Sequence, residues 1–235
     1  MQTVAVIQAR MSSSRFPGKV IADLDGLPMV VFMARRVARA RRLDRVILAT
    51  SIEDSDTPLA TAAEAHGLEV YRGPLDDVLG RFGEVQALTG ADVLVRLTGD
   101  CPLADPDVID ALIDLRASTG ADYASNVEPR SFAHGLDCEI FTKDALVRAV
   151  AIATSAYDRE HVTPWMRTDA AGLVRANLVA QDADTSGLRL TVDHPADLEV
   201  VRAVVAGTGP EAPLAQIAAW LGAHPEIAAL NAAHR

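Results

Sequence analysis

The chain has 235 residues, 49% of them hydrophobic but only 4% aromatic, and its 32 acidic and 22 basic residues give a net charge of −10. A nucleic-acid-binding protein needs a basic face and usually aromatic side chains for base stacking, so this composition argues against that class. The length allows one large domain or two small ones with a substantial core.

The two cysteines, Cys101 and Cys138, are too few for a disulfide framework, and we therefore expect a reducing, cytoplasmic compartment. The chain opens on an alternating apolar run rather than a basic segment. No apolar stretch approaches the ~18 residues of a membrane span. We expect neither a signal peptide nor contact with a membrane.

Basic residues are unevenly distributed along the chain. Residues 1–50 hold nine Arg or Lys and three Asp or Glu, a balance of +6, while the remainder holds 13 and 29, a balance of −16. Lys19 and Lys143 are the only lysines among the 22 basic residues. Such a chain is expected to keep Lys where a compact ammonium group is needed.

Strand-length apolar runs alternate with segments of helical period in the first half of the chain. The patterns predict strands at residues 3–7, 45–49, 68–71 and 92–97. They predict helices at residues 28–41, 56–66, 76–89 and 105–118. This alternation is typical of an α/β domain with a mostly parallel sheet.

The rhythm changes after residue 121. We predict two short strands within residues 122–141, a helix near 143–154, strands at 174–179 and 188–192, a helix at 195–205, and two short helices within 214–230 separated at Pro225. Residues 207–213 resemble a linker, so the last 25 or so residues are expected to form a helical appendage.

The loop after the first predicted strand contains Arg10, Ser13, Arg15 and Lys19 and no acidic residue. Ligands of open α/β sheets bind beyond the carboxyl ends of the strands, and Arg and Lys side chains there suit a polyphosphate. The loop is not a Walker A motif, because Val20 follows the Gly-Lys pair. The alternative is a solvated basic loop.

Two further predicted strand ends carry aspartate. Asp100 follows Thr98 and Gly99, and Asp193 follows the apolar run 188–192. Carboxylates with substrate phosphates are the usual ligands of Mg²⁺. A helix N-cap is the alternative explanation of each Asp, as it is of Asp105. Together with the cationic loop, the two Asp residues indicate Mg²⁺-assisted transfer at a phosphorus centre.

The sequence Ile7-Gln8-Ala9-Arg10-Met11-Ser12-Ser13-Ser14-Arg15-Phe16-Pro17-Gly18-Lys19 closely resembles the signature loop of sugar-acid cytidylyltransferases. These include acylneuraminate and 3-deoxy-manno-octulosonate cytidylyltransferases and, most similar, the spore coat polysaccharide biosynthesis branch. The resemblance extends over nearly the whole chain, through residues 72–73, 77–81, 97–103, 135–139, 158–164, 192–199 and 224–231.

The resemblance implies a nucleotide-diphospho-sugar transferase (Rossmann-like) fold and transfer of CMP from CTP, with release of pyrophosphate. It implies catalytic roles for Lys19, Arg10 and Asp100, and Mg²⁺ binding by Asp100 and Asp193. The nucleotide-binding residues that it implies are Gln8, Ala9, Arg10, Ser13, Arg15, Lys19, Arg72, Gly73, Thr98 and Gly99.

The resemblance also implies a domain organisation. Residues 1–208 would form the nucleotidyltransferase domain, with an irregular acceptor-binding and dimerisation segment at 122–175, and residues 209–235 the appendage. We expect a homodimer. The octulosonate enzymes have Gln and Glu where this chain has Thr98 and Cys101, which leaves the small anionic acceptor open between a sugar acid and a phosphate or phosphonate compound.

Five residues of this segment are candidates for acceptor binding. Asp137 and Glu139 alternate on a predicted strand and should share a face, where they could bind acceptor hydroxyls or pair with Arg at a subunit contact. Arg159, Glu160 and His161 face the acceptor or the dimer partner, or simply begin a helix.

Two other readings concern cysteine and histidine. Cys101 next to Asp100 could suggest a nucleophile, but its local sequence has no cationic neighbour, and a packing role is favoured. A zinc site is disfavoured because His134, Cys138, His161 and His194 lack paired short spacings.

Two other functions are considered. One is a glycosyltransferase of related fold, whose Asp-x-Asp motif has the letters of residues 105–107 and 182–184. The other is a nucleotide-binding scaffold without turnover. The cationic loop and both strand-end Asp residues favour the cytidylyltransferase.

Overall fold

The computed structural model describes residues 1–181 and 183–234. Its strands are β1 (Thr3–Gln8), β2 (Asp23–Leu24), β3 (Leu27–Pro28), β4 (Arg45–Ser51), β5 (Glu69–Gly73), β6 (Val93–Thr98), β7 (Tyr123–Ser125), β8 (Glu139–Thr142) and β9 (Arg175–Asn177). Its helices are α1 (Met29–Val37), α2 (Thr57–Ala65), α3 (Val78–Thr89), α4 (Pro106–Thr119), α5 (Lys143–Ile152), α6 (Ala156–His161), α7 (Pro164–Arg167), α8 (Pro195–Thr208), α9 (Leu214–Ala223) and α10 (Pro225–Ala229).

The central sheet has the strand order β5-β4-β1-β6-β8-β7-β9. The first four of these strands run parallel, whereas β8 is antiparallel to both β6 and β7. Helices cover both faces of the sheet, so the predicted α/β fold with a mostly parallel sheet and flanking helices is confirmed.

Strand β1 shows why the parallel strands are continuously apolar. Ala5 and Ile7 pack with α1, α2 and α4 on one face, while Val4 and Val6 pack with α3 and α5 on the other. Because a strand buried on both faces has no side facing solvent, its sequence does not alternate between apolar and polar residues.

A third cluster, here called the C-terminal core, packs α8 and α9 against the β2–β3 hairpin and α1. Its buried members include Leu24, Met29, Phe32, Leu190, Val201, Ile217 and Leu221. The predicted division at residue 208 stays a prediction. Within the described residues, no helix is long and apolar enough to cross a bilayer.

Two predicted elements differ from the structure. Helix α1 begins at Met29 and ends at Val37, so it is shorter than the predicted 28–41. It does not include Pro28, because Pro28 belongs to β3 of a small hairpin that turns at Asp25 and Gly26. The predicted strand at 188–192 is wrong. Its backbone bonds go to the carbonyl oxygens of His134 and Asp100, and it forms only a single bridge, between Arg189 and His134.

The polar segment around residues 156–167 folds into α6 and α7, and residues 159–161 end α6 instead of beginning a helix. Neither helix reaches eight residues, so neither is long enough to show a helical repeat of apolar residues in the sequence. Helix α7 packs through Trp165 and Met166 against the sheet face that α3 and α5 cover, and α6 ends next to the site described below.

Candidate functional site

A cleft of about 370 Å³ lies beyond the carboxyl ends of β1 and β6. The position follows from register, since Gln8 at the end of β1 is level with Thr98 at the end of β6. The cleft is lined by Gln8, Ala9, Arg10, Ser13, Ser14, Arg15, Lys19, Val20, Val78, Arg81, Arg96, Thr98, Gly99, Asp100, Glu160, His161 and Asp193. Twelve of these are predicted site residues.

The conformation of the loop between β1 and Lys19 is fixed by hydrogen bonds to Asp56. The buried carboxylate of Asp56 accepts the backbone N–H of Met11 at 2.7 Å through Oδ1, and its Oδ2 accepts the backbone N–H and the hydroxyl of Ser51. Within the loop, Ser13 Oγ accepts the N–H of Phe16 at 3.3 Å. Asp56 therefore ties the cationic loop to the end of β4, a role that its place at a predicted helix start did not indicate.

Lys19 joins the two strand-end aspartates. Its ammonium lies 3.3 Å from Asp100 Oδ2 and 3.0 Å from Asp193 Oδ1, and it donates to the carbonyl oxygen of Val192 at 2.7 Å. Arg15 reaches Asp193 Oδ1 at 2.7 Å from the solvent side. Of the two lysines, the buried one thus forms the centre of the cleft, and Lys143 lies exposed at the start of α5.

The backbone brings Asp100 and Asp193 together. The carbonyl oxygen of Asp100 accepts the N–H of Val192 at 2.7 Å and the hydroxyl of Thr191 at 3.1 Å. Thr98 donates its hydroxyl to Asp100 Oδ1 at 2.6 Å. The segment that was predicted as a strand therefore serves to carry Asp193 to the end of β6.

The N-cap explanation fails for both aspartates and holds for Asp105, whose carboxylate accepts the N–H groups of Asp107 and Val108 at the start of α4. At the start of α8, the carboxylate of Asp197 accepts the N–H groups of Asp193 and His194 instead. Burial alone would raise the pKa of Asp193, but the ammonium of Lys19 and the guanidinium groups of Arg15 and Arg189 lower it. Asp193 is ionised at neutral pH.

The residues fit a divalent cation in one respect. Asp100 and Asp193 already share one cationic group, the Lys19 ammonium, with a backbone carbonyl oxygen as a third partner. No group of three or more acidic, His or Cys side chains suited to a metal occurs among residues 1–181 and 183–234. A metal here would need oxygen atoms from a phosphate ligand, as Mg²⁺ sites commonly do.

Glycine allows two close approaches around the cleft. A Cβ on Gly99 would lie 2.7 Å from Cβ of Ala9, so Gly99 lets the ends of β1 and β6 meet. A Cβ on Gly73 would lie 2.7 Å from Cγ of Arg81. Gly73 does not line the cleft, but it makes room for a residue that does.

Arg81 is a cleft residue missing from the predicted set. Its side chain is buried, and among the groups the structure describes, its Nε has no hydrogen-bond partner. Burial lowers the pKa of Arg81, partly offset by the charge of Asp56. Its Nη1 donates to the carbonyl oxygen of Ala49 at 3.5 Å. A guanidinium at the wall of a cleft is suited to an anionic or carbonyl-bearing ligand.

Arg72 lies elsewhere, although it was predicted to bind nucleotide. Its guanidinium donates to the carbonyl oxygens of Ser51 and Glu53 at 2.9 Å and to the hydroxyl of Thr57 at 3.2 Å. These bonds brace the chain after β4, and Arg72 is not among the cleft residues.

A second cavity of about 390 Å³ adjoins the cleft and shares Arg96 and Thr98 with it. Its other lining residues are Val127, Glu128, Arg130, Asp137, Glu139 and Arg167. Asp137 and Glu139 thus face one cavity as predicted, although β8 begins only at Glu139. Asp137 forms a bidentate ion pair with Arg130 at 2.5 and 3.0 Å.

The carboxylate of Glu139 is already fully engaged. It accepts hydrogen bonds from the hydroxyl groups of Tyr123 at 2.6 Å and Thr163 at 2.8 Å, from Arg167 at 2.6 Å, and from Arg96. Burial alone would raise its pKa, but the charges of Arg96 and Arg167 lower the pKa of Glu139 to about 2. Glu139 therefore orients two arginines rather than offering free oxygen atoms.

Arg96 stands between the two cavities and was not predicted. Its Nε donates to Oε1 of Gln8 at 2.9 Å, and its Nη1 pairs with Glu139. A central strand of a parallel sheet normally carries apolar residues, so Arg at the third position from the end of β6 is the signal that could have identified it.

The three residues of the 159–161 cluster have different neighbours. Glu160 and His161 line the first cleft, where Glu160 pairs with Arg10 at 3.2 Å. Arg159 points away and pairs with Asp77, the N-cap of α3. Just beyond, Val162 has a φ of 69°, and the N–H of Thr163 donates to the carbonyl oxygen of His161 at 2.8 Å. This tight, strained turn sends His161 toward the cleft and Thr163 toward Glu139.

Cys101 packs in the core below Asp100, 3% exposed, and burial raises its pKa well above the ordinary value. Such a thiol is a poor nucleophile, which agrees with the favoured packing role.

Among the histidines named in the sequence analysis, His134 lies 3.1 Å from the guanidinium of Arg189.

Most of the amino-terminal positive charge lies outside the cleft. Arg10, Arg15 and Lys19 line the cleft, whereas the other six lie on α1, on the chain that follows it and at the start of β4: Arg35, Arg36, Arg39, Arg41, Arg42 and Arg45. Arg36, for example, donates to the carbonyl oxygens of Ala104, Pro210 and Ala212. Of the nine basic residues that give residues 1–50 their balance of +6, only Arg10, Arg15 and Lys19 are therefore placed to bind a nucleotide.

Of the Asp-x-Asp candidates, Asp105, Asp107 and Asp184 are not among the cleft residues. Asp105 caps α4, and Asp107 forms an exposed pair with Arg41. Asp182 lies outside the described residues, and Asp184 accepts the N–H of Ser186 at 2.8 Å.

With this geometry established, comparison with known proteins is informative. The family profile described as cytidylyltransferase matches residues 4–207. A spore coat polysaccharide biosynthesis protein of Bacillus subtilis is 30% identical, covering 95% of each chain. The 3-deoxy-manno-octulosonate cytidylyltransferase of an Anaeromyxobacter species is 33% identical over 88% of this chain and 98% of its own. A solved cytidylyltransferase structure from Leptospira borgpetersenii serovar Hardjo-bovis has a TM-score of 0.91 at 29% identity, covering 97% of this chain and 96% of that one.

Proposed function

The chain belongs to the cytidylyltransferase family, and from that premise we propose that it transfers CMP from CTP to a small anionic acceptor and releases pyrophosphate. The supporting observation is the convergence of Lys19, Asp100 and Asp193 below a loop with two further cations. Positive groups aimed at phosphate oxygens and paired carboxylates are what phosphoryl transfer requires.

In the proposed reaction an acceptor oxygen attacks the α-phosphorus of CTP. A new oxygen–phosphorus bond forms, and the bond from the α-phosphorus to the oxygen bridging to the β-phosphorus breaks. Pyrophosphate leaves with the electron pair. A carboxylate, phosphate or phosphonate acceptor has no proton to lose, whereas a hydroxyl acceptor releases one.

The cationic residues would bind and orient the triphosphate. Lys19 and Arg10 line the cleft and would stabilise charge on the phosphoryl oxygens and the leaving group, and Arg15 would contact the outer phosphates. Their present partners, Asp193 and Glu160, are carboxylates. Phosphate oxygens can replace them without leaving a cation unpaired.

Asp100 and Asp193 would hold Mg²⁺, which when bound would neutralise charge on the phosphate oxygens. The two carboxylates need little rearrangement for this, since both already face the same cation. Arg81 lines the same cleft and would add a further positive charge to the nucleotide site.

The acceptor would occupy the second cavity, where Arg96 and Thr98 also border the first cleft. Seven of its eight lining side chains are charged or hydroxyl-bearing, and Val127 is the apolar exception. Arg130, Arg167 and Arg96 would bind an anionic group, and Asp137 would accept hydrogen bonds from hydroxyls. This chemistry suits a sugar acid or a related phosphonate, as used in surface polysaccharide or natural-product biosynthesis.

A pyrophosphate-release assay tests the function. The four NTPs and, in a parallel series, a nucleotide sugar are each incubated with Mg²⁺ and a panel of sugar acids, phosphates and phosphonates. Pyrophosphate formed from CTP, and only when a particular acceptor is present, is the expected result. Hydrolysis of a nucleotide sugar without pyrophosphate would support a glycosyltransferase, and CTP binding without product would support a scaffold.

A homodimer through residues 122–175 is part of the proposal. Sedimentation analysis at micromolar concentration is expected to give the mass of a dimer. A monomer under those conditions would refute it.

A further inference from the structure

Asp193 has two differently occupied carboxylate oxygens. Oδ1 faces the cleft, 3.0 Å from Lys19 and 2.7 Å from Arg15. Oδ2 faces the interior, where it accepts a hydrogen bond from Nη2 of Arg189 at 3.1 Å. The side chain is therefore held from behind by one guanidinium, and its orientation depends on how that guanidinium is held.

Arg189 is held by Asp197, which is fully buried. Nε of Arg189 donates to Asp197 Oδ1 at 2.9 Å, and Nη2 donates to Asp197 Oδ2 at 3.1 Å. The same Oδ2 accepts the backbone N–H of Asp193 at 2.9 Å. Asp197 thus fixes both the backbone of Asp193 and the guanidinium behind its side chain.

The carboxy-terminal segment closes this network through Asn231, which is 1% exposed. Its Nδ2 donates to Asp197 Oδ1 at 3.0 Å and to the backbone carbonyl oxygen of Arg189 at 3.1 Å. A single amide group therefore bonds to both members of the ion pair that supports Asp193. Core packing of the segment would not require a buried amide there, since an apolar side chain of similar size would fill the space.

We propose that Asn231 is a positioning residue for the Asp193 carboxylate. Through Asp197 and Arg189, the segment after α10 sets the orientation in which Asp193 meets a divalent cation and the triphosphate. Groups that orient ligating carboxylates typically affect metal affinity by tenfold or more. The proposal rests on the proposed function, because Asp193 is assigned there as a metal ligand.

The test is Mn²⁺ binding measured by electron paramagnetic resonance, with CTP present and no acceptor. Asn231→Leu removes the amide donors and keeps the number and branching of the side-chain heavy atoms. Its Mn²⁺ dissociation constant is expected to rise about tenfold, while CTP binding without metal stays within about twofold, since the cationic loop is untouched. Asn231→Ser keeps one donor and is expected to give a smaller rise.

Ile227→Ala is the matched control. Ile227, on α10, packs the carboxy-terminal part of the chain against the C-terminal core without joining the hydrogen-bond network. Its loss should lower the melting temperature and leave the Mn²⁺ dissociation constant unchanged. If Asn231 contributed only to the stability of the fold, Asn231→Leu would likewise lower the melting temperature and leave the Mn²⁺ dissociation constant unchanged.

A folded Asn231→Leu protein with wild-type Mn²⁺ affinity would overturn the proposal, as would absence of Mn²⁺ binding by the wild type with CTP. Failure of the proposed function is separate. It would appear as missing pyrophosphate release by the wild type with every acceptor, whatever the Mn²⁺ titrations give.

Discussion

Nζ of Lys19 lies 3.0 Å from Oδ1 of Asp193, although the two residues are 174 positions apart. The contact joins the loop after the first strand to the segment before α8, and both side chains are largely buried. A buried pair whose members also face a cleft is poised to exchange partners when a charged ligand enters. Four predictions follow from this site and its supports.

Replacing Lys19 tests the centre of the site. Lys19→Ala is expected to lower the rate of pyrophosphate release about a hundredfold or more, because a positive group on the phosphoryl oxygens is lost. Lys143→Ala, which removes the other, exposed lysine, is the control and should keep the wild-type rate. Equal rates for the two variants in a steady-state assay would contradict the role of Lys19.

Replacing Arg81 separates ligand binding from stability. Removing a buried guanidinium with an unpartnered Nε should leave the melting temperature unchanged or higher. The CTP dissociation constant of Arg81→Met is expected to rise about tenfold, through the loss of about 1.4 kcal/mol of binding. Calorimetric titration with CTP measures it.

Arg116→Met serves as the control for Arg81. Nε of Arg116 donates to the carbonyl oxygen of Ala121 at 3.0 Å, on α4 and away from the cleft. This variant should keep CTP affinity and lose a little stability. A reversed pattern, with CTP affinity lost in Arg116→Met alone, would show that Arg81 has no part in the nucleotide site.

Replacing Asp56 tests the anchor of the cationic loop. Asp56→Asn cannot accept all the hydrogen bonds of the carboxylate, and we expect about 2 kcal/mol of lost stability and a higher KM for CTP. Urea unfolding and steady-state kinetics measure the two effects. Asp54→Asn, in the same turn but exposed, should change neither. Normal stability of Asp56→Asn would contradict the anchoring role.

The pKa of Glu139 predicts a pH dependence of stability. It is lowered from 4.5 to about 2 in the folded protein, so the ionised group stabilises the fold above pH 4.5. That contribution, on the order of 3 kcal/mol, is lost as the pH falls from 4.5 toward 2. The difference in unfolding free energy between wild type and Glu139→Gln should therefore be large at pH 7 and shrink below pH 4.5.

Urea titrations at several pH values measure this difference. Glu69→Gln, which breaks an exposed pair with Arg45, is the control and should follow the wild-type curve closely. A gap between Glu139→Gln and wild type that stays constant down to pH 2 would contradict the ionised, arginine-paired state of Glu139.

The parts of the fold that rest on local patterns could be predicted from the sequence. The apolar runs gave β1, β4 and β6, and parallel strands must end at one edge, so Arg10, Lys19 and Asp100 were expected to meet there. Asp105 before a proline similarly predicted the cap of α4.

The remaining features depend on contacts between distant parts of the chain. Residues 188–192 have a strand-like composition, but their hydrogen bonds go to Asp100 and His134, which no local pattern indicates. Glu139 alternates like a ligand-binding residue, yet Arg96 and Arg167 arrive from other elements and occupy it. Arg81 and Asp56 have ordinary helical surroundings in the sequence, and only the packed structure places them at the cleft and beneath its loop.

The most direct test of the central claim is phosphorus NMR of the wild-type protein with CTP, Mg²⁺ and the best acceptor from the panel. We expect the three CTP resonances to be replaced by those of pyrophosphate and of one new CMP ester, and Asp100→Asn to give neither at a comparable rate. Accumulation of CDP and phosphate, or unchanged CTP with every acceptor, would contradict the claim.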